Sequence, residues 1–186
     1  MKSTFCLWVT GLPGSGKSSI AGAASAKLKL SGIDNYVLHL DMLRKIITPD
    51  PDYSEREREF AYRALAGCAK VLYENNINVI IDATANRRIY REFARNIMDN
   101  FYEIFIKCPP EVCAKRESER KDHPAGAQLY KKAKQAKEKS KDKKTDLMPG
   151  VDVPYEHGNP ELVVDSEKMG IEKCAEKIAG FVLAMR

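Results

Sequence analysis

No apolar run in this 186-residue chain approaches the length of about 18 to 20 residues that a helix needs to cross a bilayer. A membrane-spanning helix, and with it a membrane partner, is therefore not part of the reading. The chain enters its first apolar segment almost at once, which leaves no room for a secretion signal. Its five cysteines (Cys6, Cys68, Cys108, Cys113 and Cys174) are odd in number and include no Cys-x-x-Cys pair. With only three histidines, His39, His123 and His157, no zinc-ligand spacing arises either. Several of the cysteines lie in apolar segments, so buried, reduced thiols in a cytoplasmic protein are expected. The Asn-Lys-x-Asp element that reads guanine in GTPase switches does not occur, and there is no internal repeat, linker or second domain.

Aromatic residues make up 8% of the chain, and none interleaves its densest basic segment. Residues 131–144 hold eight lysines against Glu138 and Asp142, so the net charge of +5 belongs to this one stretch and the remainder is close to neutral. Without rings for base stacking, the segment does not read as a nucleic-acid surface. It reads as a basic flap over a polyphosphate site, with a solvated helix as the other reading.

What is present is a complete phosphate-binding loop, Gly11-Leu12-Pro13-Gly14-Ser15-Gly16-Lys17-Ser18, matching G-x-x-x-x-G-K-[ST]. An apolar run over residues 4–10 precedes it and an alanine-rich helical stretch follows. The glycines allow successive amides to turn toward a di- or triphosphate, and the next helix adds its N-terminus to the same anion site. Gly11, Pro13, Gly14, Ser15, Gly16, Lys17, Ser18 and Ser19 are thus the expected ATP cradle. Lys17 would reach the outer phosphates and the Ser18 hydroxyl would ligate Mg2+.

Strand-like and helix-like segments alternate along the rest of the chain, as in a parallel sheet covered on both faces. Strands are expected over residues 4–10, 36–40, 77–82, 102–107 and 161–165. Helices are expected over 16–30, 54–74, 87–98, 111–119 and 128–143, with a closing helix marked by Ile171, Cys174, Ala175, Ile178 and Val182. The fold class is α/β: a three-layer P-loop NTPase fold with a central five-stranded parallel sheet. One kinase domain covers 1–186, with a lid or flap at about 117–147.

In such a sheet ligands bind beyond the C-terminal strand ends. The second strand delivers Asp41 and, one turn on, Arg44; the third delivers Asp82. Asp41 is the candidate base for an attacking hydroxyl, or an N-cap of the following helix; Asp82 is the alternative base, or a magnesium ligand. Arg44, Arg58, Arg88 and Arg116 recur where a phosphate-rich substrate would use them. His39 reads as a satisfied core histidine, and His123 and His157 receive no role.

These residues resemble the adenylylsulfate kinases. The resemblance rests on the run from Trp8 to Ser18, on Leu129-Tyr130-Lys131-Lys132-Ala133, and on Pro154-Tyr155-Glu156 followed by Asn159-Pro160-Glu161-Leu162. It implies Mg-ATP-dependent phosphorylation of the ribose 3′-hydroxyl of adenosine 5′-phosphosulfate. It implies a substrate aspartate at Asp41, substrate arginines at Arg44 and Arg58, and a third arginine at Arg88. A substrate lysine falls on Lys131 or Lys132, and a nucleotide-side arginine on Arg116. Tyr53 and Met148 fall beside the acceptor base. Relatives are often dimers, so a homodimer is the implied assembly.

The chain departs from the family pattern on the acceptor side. The usual Asp-Gly-Asp-Asn reads His39-Leu40-Asp41-Met42, the asparagine three residues after Arg58 is Ala61, and the stacking aromatic is Met148. Asp82-Ala83-Thr84 is closer to the wider group of small-molecule and polynucleotide kinases. A different nucleotide acceptor, such as a cytidine diphosphoramidate, and a polynucleotide end therefore stand as alternative substrates.

Overall fold

Cys6 to Val9 are apolar without interruption, and β1 (Cys6–Thr10) is accordingly buried along its whole length. A strand with two apolar faces belongs in the interior of a parallel sheet. In the computed structural model, which describes residues 4–119 and 153–185, β1 lies at the centre. The other strands are β2 (Asn35–His39), β3 (Asn78–Asp82), β4 (Phe101–Lys107) and β5 (Leu162–Asp165). All pair in parallel, in the order β2-β3-β1-β4-β5.

The helices are α1 (Lys17–Leu30), α2 (Leu40–Ile47), α3 (Glu55–Glu74), α4 (Arg88–Ile97), α5 (Pro110–Glu119) and α6 (Ile171–Ala184). Side chains alternate across β1, so Leu7 and Val9 join one core with Ile20 and Leu28 of α1 and Ile178 and Val182 of α6. Cys6 and Trp8 join the opposite core with Leu65 and Ala69 of α3 and Tyr90 and Ala94 of α4. Trp8 is fully buried yet keeps its polar atom satisfied, donating from Nε1 to Ala83 O at 3.1 Å.

Two helices end in the same way and so aim the strands that follow. After α1, Gly32 takes φ 72° and its N–H donates to Lys29 O, while Ile33 N–H donates to Leu28 O. After α3, Asn76 takes φ 62°, donating to Tyr73 O, and Ile77 N–H donates to Leu72 O. Both are Schellman closures, with glycine or asparagine in the left-handed position. At its other end α3 is capped by Ser54, whose Oγ accepts from Glu57 N–H at 3.2 Å.

Element boundaries shift by one or two residues from the sequence expectation, α2 is a helix outside every expected helix range, and one assignment changes. Asp41 does not cap the helix after β2. His39 holds the cap position, and Asp41 lies within the first turn of α2 because Leu40, buried against the core, is already helical. Cys6, Cys108, Cys113 and Cys174 are buried, Cys68 is exposed, and all five are free. Among the described residues no helix is long and apolar enough to cross a membrane. The expected helix over 128–143, most of the lid, and Lys131, Lys132 and Met148 lie outside the described residues.

The β4–β5 edge carries a two-pronged ion pair. Arg95 Nη1 and Nη2 meet Glu161 Oε1 and Oε2 at 2.6 and 3.0 Å, and Glu103 N–H donates to the same carboxylate at 2.6 Å. Burial pushes the Glu161 carboxyl up, but the Arg95 fork and the Glu103 amide outweigh it and hold the group below the ordinary glutamate value. A folded-state value below the unfolded one stabilises above the unfolded value and is lost as pH falls through the folded one. We expect thermal stability to fall between about pH 5 and pH 3, with a shallower fall in Glu161→Gln, as read by scanning calorimetry across that range.

Candidate active site

The C-terminal end of β1 turns directly into the phosphate loop, and the loop is held from outside. Gly14 has φ 80°, and a Cβ built there would lie 2.3 Å from Cys113 O of α5. A Cβ on Gly11 would lie 2.6 Å from Ile106 O of β4. Only glycine lets this backbone approach the neighbouring chain so closely. Ser166, just after β5, donates from Oγ to Ser15 O at 2.7 Å and so ties the loop to the far side of the sheet.

Lys17 is buried, and its Nζ donates to Leu12 O at 2.9 Å, back across its own loop. Burial pulls its ammonium below the ordinary lysine value, opposed by the charges of Asp82, Asp41 and Glu117. Removing an ammonium from water without a close counter-charge is unfavourable, so the site favours an anion beside Lys17. Ser15 Oγ is a second such signal: it is buried within the loop and has no hydrogen-bond partner among the described residues.

Asp82 ends β3 directly across from His39, its partner in the strand register, and His39 Nδ1 lies 2.9 Å from Asp82 Oδ2. Burial pushes the Asp82 carboxyl up. The His39 hydrogen bond, the Lys17 charge and the Ser18 hydroxyl together hold it below the ordinary aspartate value, so the group is a carboxylate at neutral pH. His39 is about 40% exposed at its side chain and is not the core histidine the sequence suggested. The Ser18 hydroxyl and Asp82 carboxylate are hard oxygen donors within reach of each other at the mouth of the loop. They fit Mg2+, which takes one or two protein oxygens and completes its shell with phosphate and water. Among the described residues no group of three or more His, Cys, Asp or Glu side chains is placed to hold a metal.

One cavity of about 890 Å³ joins these parts. Its floor is the loop, Pro13 to Ser19. On the α2–α3 side it is walled by Asp41, Arg44, Tyr53, Arg58 and Tyr62. Tyr53 is bent into the left-handed region (φ 56°), unusual for a residue with a side chain. Its ring lies under two guanidinium groups, Arg44 at 5.5 Å and Arg58 at 5.8 Å. The backbone holds this arrangement. Arg58 Nε donates to Tyr53 O at 2.9 Å, Arg44 pairs with Glu57, and the other Glu57 oxygen accepts from the amides of Asp52 and Tyr53 at 2.6 and 3.0 Å.

The opposite wall is formed by Arg116, Glu117 and the turn from Ser166 to Ile171. Arg116 Nη2 donates to Ser166 O at 3.0 Å, so Arg116 is fixed to the residue that also pins the loop. Arg88 is not brought to this cavity: its Nε donates to Glu92 Oε1 at 2.5 Å on the exposed start of α4. Glu117, Tyr62 and residues 166–171 were missed by sequence reasoning. Residues 166–171 follow a strand end, and the rule that ligands lie beyond strand ends marks them when applied to the last strand as well as the first three.

The loop geometry is testable apart from catalysis. Gly14→Ala should destabilise the protein by at least about 1 kcal/mol through backbone strain and weaken ATP binding severely. Gly22→Ala, in α1 with open space around it, should stabilise by about 0.5–1 kcal/mol. Thermal unfolding and titration calorimetry with ATP would separate the two.

A family profile for adenylylsulphate kinase matches residues 3–165. The chain is 33% identical over 183 residues to the probable adenylyl-sulfate kinase of Halalkalibacterium halodurans, covering 96% of this chain and 82% of that protein. It is 34% identical over 166 residues to the probable adenylyl-sulfate kinase of Archaeoglobus fulgidus, covering 89% and 97%. Among solved structures, the Mycobacterium tuberculosis APS kinase CysC in complex with AMPPNP and APS is similar with a TM-score of 0.79 and 30% identity, covering 98% of each chain. Matched nearly end to end in sequence and backbone, and carrying the loop and the opposing walls described above, this chain belongs to the adenylylsulphate kinase family.

Proposed function

We propose that the protein transfers the γ-phosphate of ATP to the 3′-hydroxyl of adenosine 5′-phosphosulfate, with Mg2+, giving ADP and the 3′-phosphorylated nucleotide. One observation carries the reading: a single cavity holds the phosphate loop on its floor, a carboxylate and two ring-stacked arginines on one wall, and a fixed arginine on the other. ATP lies with its phosphates in the loop and its base toward Arg116 and residues 166–171. The acceptor lies toward Arg44, Tyr53 and Arg58.

Phosphoryl transfer requires alignment and charge neutralisation more than covalent help. Lys17 leaves Leu12 O for the outer phosphates, which supply the counter-charge that its buried ammonium lacks. Asp41 accepts the proton of the 3′-hydroxyl as its oxygen bonds to the γ-phosphorus and the bond to the β-bridging oxygen breaks. Arg44 and Arg58 hold the acceptor's anionic groups, and the Tyr53 ring offers a face for its base. Ser18 and Asp82 would hold Mg2+, which would supply charge neutralisation at the outer phosphates. His39 fixes Asp82. The family pattern carries aspartate where His39 stands on β2; here the carboxylate comes from the facing residue of β3.

Behind the acceptor wall, one turn along α3 from Arg58, Ala61 is fully buried in the core and presents no polar group where the family pattern has asparagine. This favours a second reading, a kinase with a different small nucleotide acceptor. Initial rates across adenosine 5′-phosphosulfate, cytidine nucleotides and 5′-hydroxyl oligonucleotides decide between them. We expect adenosine 5′-phosphosulfate to have the highest kcat/KM; a higher value for another acceptor overturns the choice. The free thiols suit a cytoplasmic protein, and the family resemblance suits a homodimer, which sedimentation would show as twice 20.9 kDa.

Asp41→Asn should lower kcat by about 100-fold or more while leaving the ATP dissociation constant unchanged. Asp82→Asn should instead raise the Mg2+ concentration needed for half-maximal rate, and chelation with EDTA should stop turnover in the unmodified protein. Near-normal kcat in Asp41→Asn would remove that residue from the role of base.

A further inference from the structure

Arg91 of α4 and Glu103 of β4 form a buried charge pair that the reaction as described does not use. Their side chains are 1% and 5% exposed, and Arg91 Nε lies 3.1 Å from Glu103 Oε1. The Nε–H is not directed along that contact, so the pairing is ionic rather than an aligned hydrogen bond. The rest of the guanidinium is spent on backbone. Nη1 donates to Ala85 O and, more distantly, to Arg87 O; Nη2 donates to Glu156 O at 2.6 Å. The Tyr155 ring covers the group, 5.3 Å from its centre.

The segments held in this way border the cavity. Ala83 and Thr84 line it, and Ala85, the next residue, takes φ 41°, a strained value for a residue with a Cβ. Ala85 is gripped on both sides, its N–H donating to Tyr62 OH at 2.9 Å and its carbonyl accepting from Arg91. Tyr62 is itself part of the acceptor wall. The segment around residues 154–156 is laced to the same turn: Glu156 N–H donates to Asn86 O at 2.7 Å, and Arg88 N–H donates to Glu156 Oε2 at 2.8 Å. Tyr155 OH reaches Thr10 Oγ1 at 2.8 Å, and Thr10 Oγ1 donates to Thr84 O at 2.5 Å. One guanidinium thus joins β4, the strained turn after β3 and the 154–156 segment, and through Tyr155 it reaches the last residue before the phosphate loop.

We propose that Arg91, charge-compensated by Glu103, is a positioning residue for the acceptor half of the site, holding the Ala83–Thr84 wall in its binding-competent shape through the strained turn at Ala85. This rests on the kinase reading above for which wall the acceptor meets. The nucleotide half has pins of its own in Cys113, Ser166 and Arg116, which hold the loop when the Tyr155–Thr10 contact is loosened. Loss of Arg91 loosens acceptor binding and leaves ATP binding intact.

Breaking a buried pair on one side leaves an uncompensated charge and risks misfolding, whereas replacing both members by apolar residues of similar size generally preserves the fold. The test is therefore the double variant Arg91→Met/Glu103→Leu. A second variant is Gly158→Ala, whose added methyl would sit 2.8 Å from Glu103 Oε2 and 3.2 Å from Arg91 Nη2 and displace the pair without deleting a charge. For each folded variant, acceptor KM is measured with adenosine 5′-phosphosulfate, ATP Kd by calorimetry, and amide exchange by mass spectrometry without ligand.

We expect acceptor KM to rise about 10- to 100-fold with ATP Kd unchanged, and exchange over residues 83–88 to quicken while residues 11–18 stay as protected as before. Wild-type acceptor KM and unaltered exchange over 83–88 in a folded variant overturn the proposal. So does a parallel loss of ATP affinity, which marks the pair as general core structure. If the unmodified protein transfers no phosphate to adenosine 5′-phosphosulfate, the acceptor reading falls. Exchange over 83–88 then decides the positioning role alone.

Discussion

The close approach of the phosphate loop to the ends of β4 and α5 is the constraint on which the site depends. Gly14 against Cys113 O and Gly11 against Ile106 O leave no space for a side chain, and Ser166 Oγ holds Ser15 O from the other direction. These contacts fix the loop without using the atoms that would meet phosphate. The loop is therefore preorganised by backbone packing, and its polar capacity is left for the ligand. Lys17, bound for the moment to Leu12 O, and Ser15 Oγ, buried without a partner among the described residues, show the same division.

The electrostatics follow from that placement. Burial alone would push Lys17 toward neutrality and Asp82 toward protonation. The Asp82 charge only partly offsets the burial of Lys17, while the Lys17 charge and the hydrogen bonds from His39 and Ser18 keep Asp82 ionised. On the α2–α3 wall of the cavity the arginines are restrained by hydrogen bonds and an ion pair. Glu57 holds Arg44 and two amides of the bend at Tyr53, while Arg58 is fixed to the Tyr53 carbonyl. Guanidinium groups set in one geometry lose less entropy when they meet an anion than mobile ones would.

Much of the fold was legible because each signal was local. The eight-residue loop motif, the uninterrupted apolar strands, Ser54 before α3, and Gly32 and Asn76 after α1 and α3 each act within a few residues of themselves. The lining of the cavity was legible where it lies close in sequence to such a signal: Lys17 and Ser18 inside the motif, Asp82 at the end of β3, and Asp41 and Arg44 in the helix that follows β2 directly. Arg88 occupies a motif position, yet its side chain is turned to Glu92 on the exposed start of α4. Nothing in the spacing of the arginines distinguishes it from Arg91, the one that is buried.

Sequence by itself determined that a phosphate loop opens a parallel α/β sheet, because glycine conformation, apolar periodicity and helix capping are properties of neighbouring residues. Only the tertiary structure decided which polar groups are desolvated together. The His39–Asp82 pairing, the Tyr53 ring between two arginines, and Arg91 joining Glu103, Ala85 and Glu156 all bring together residues from separate elements. Their energies come from burial and mutual distance, and neither quantity exists until the sheet order β2-β3-β1-β4-β5 has placed the strands side by side.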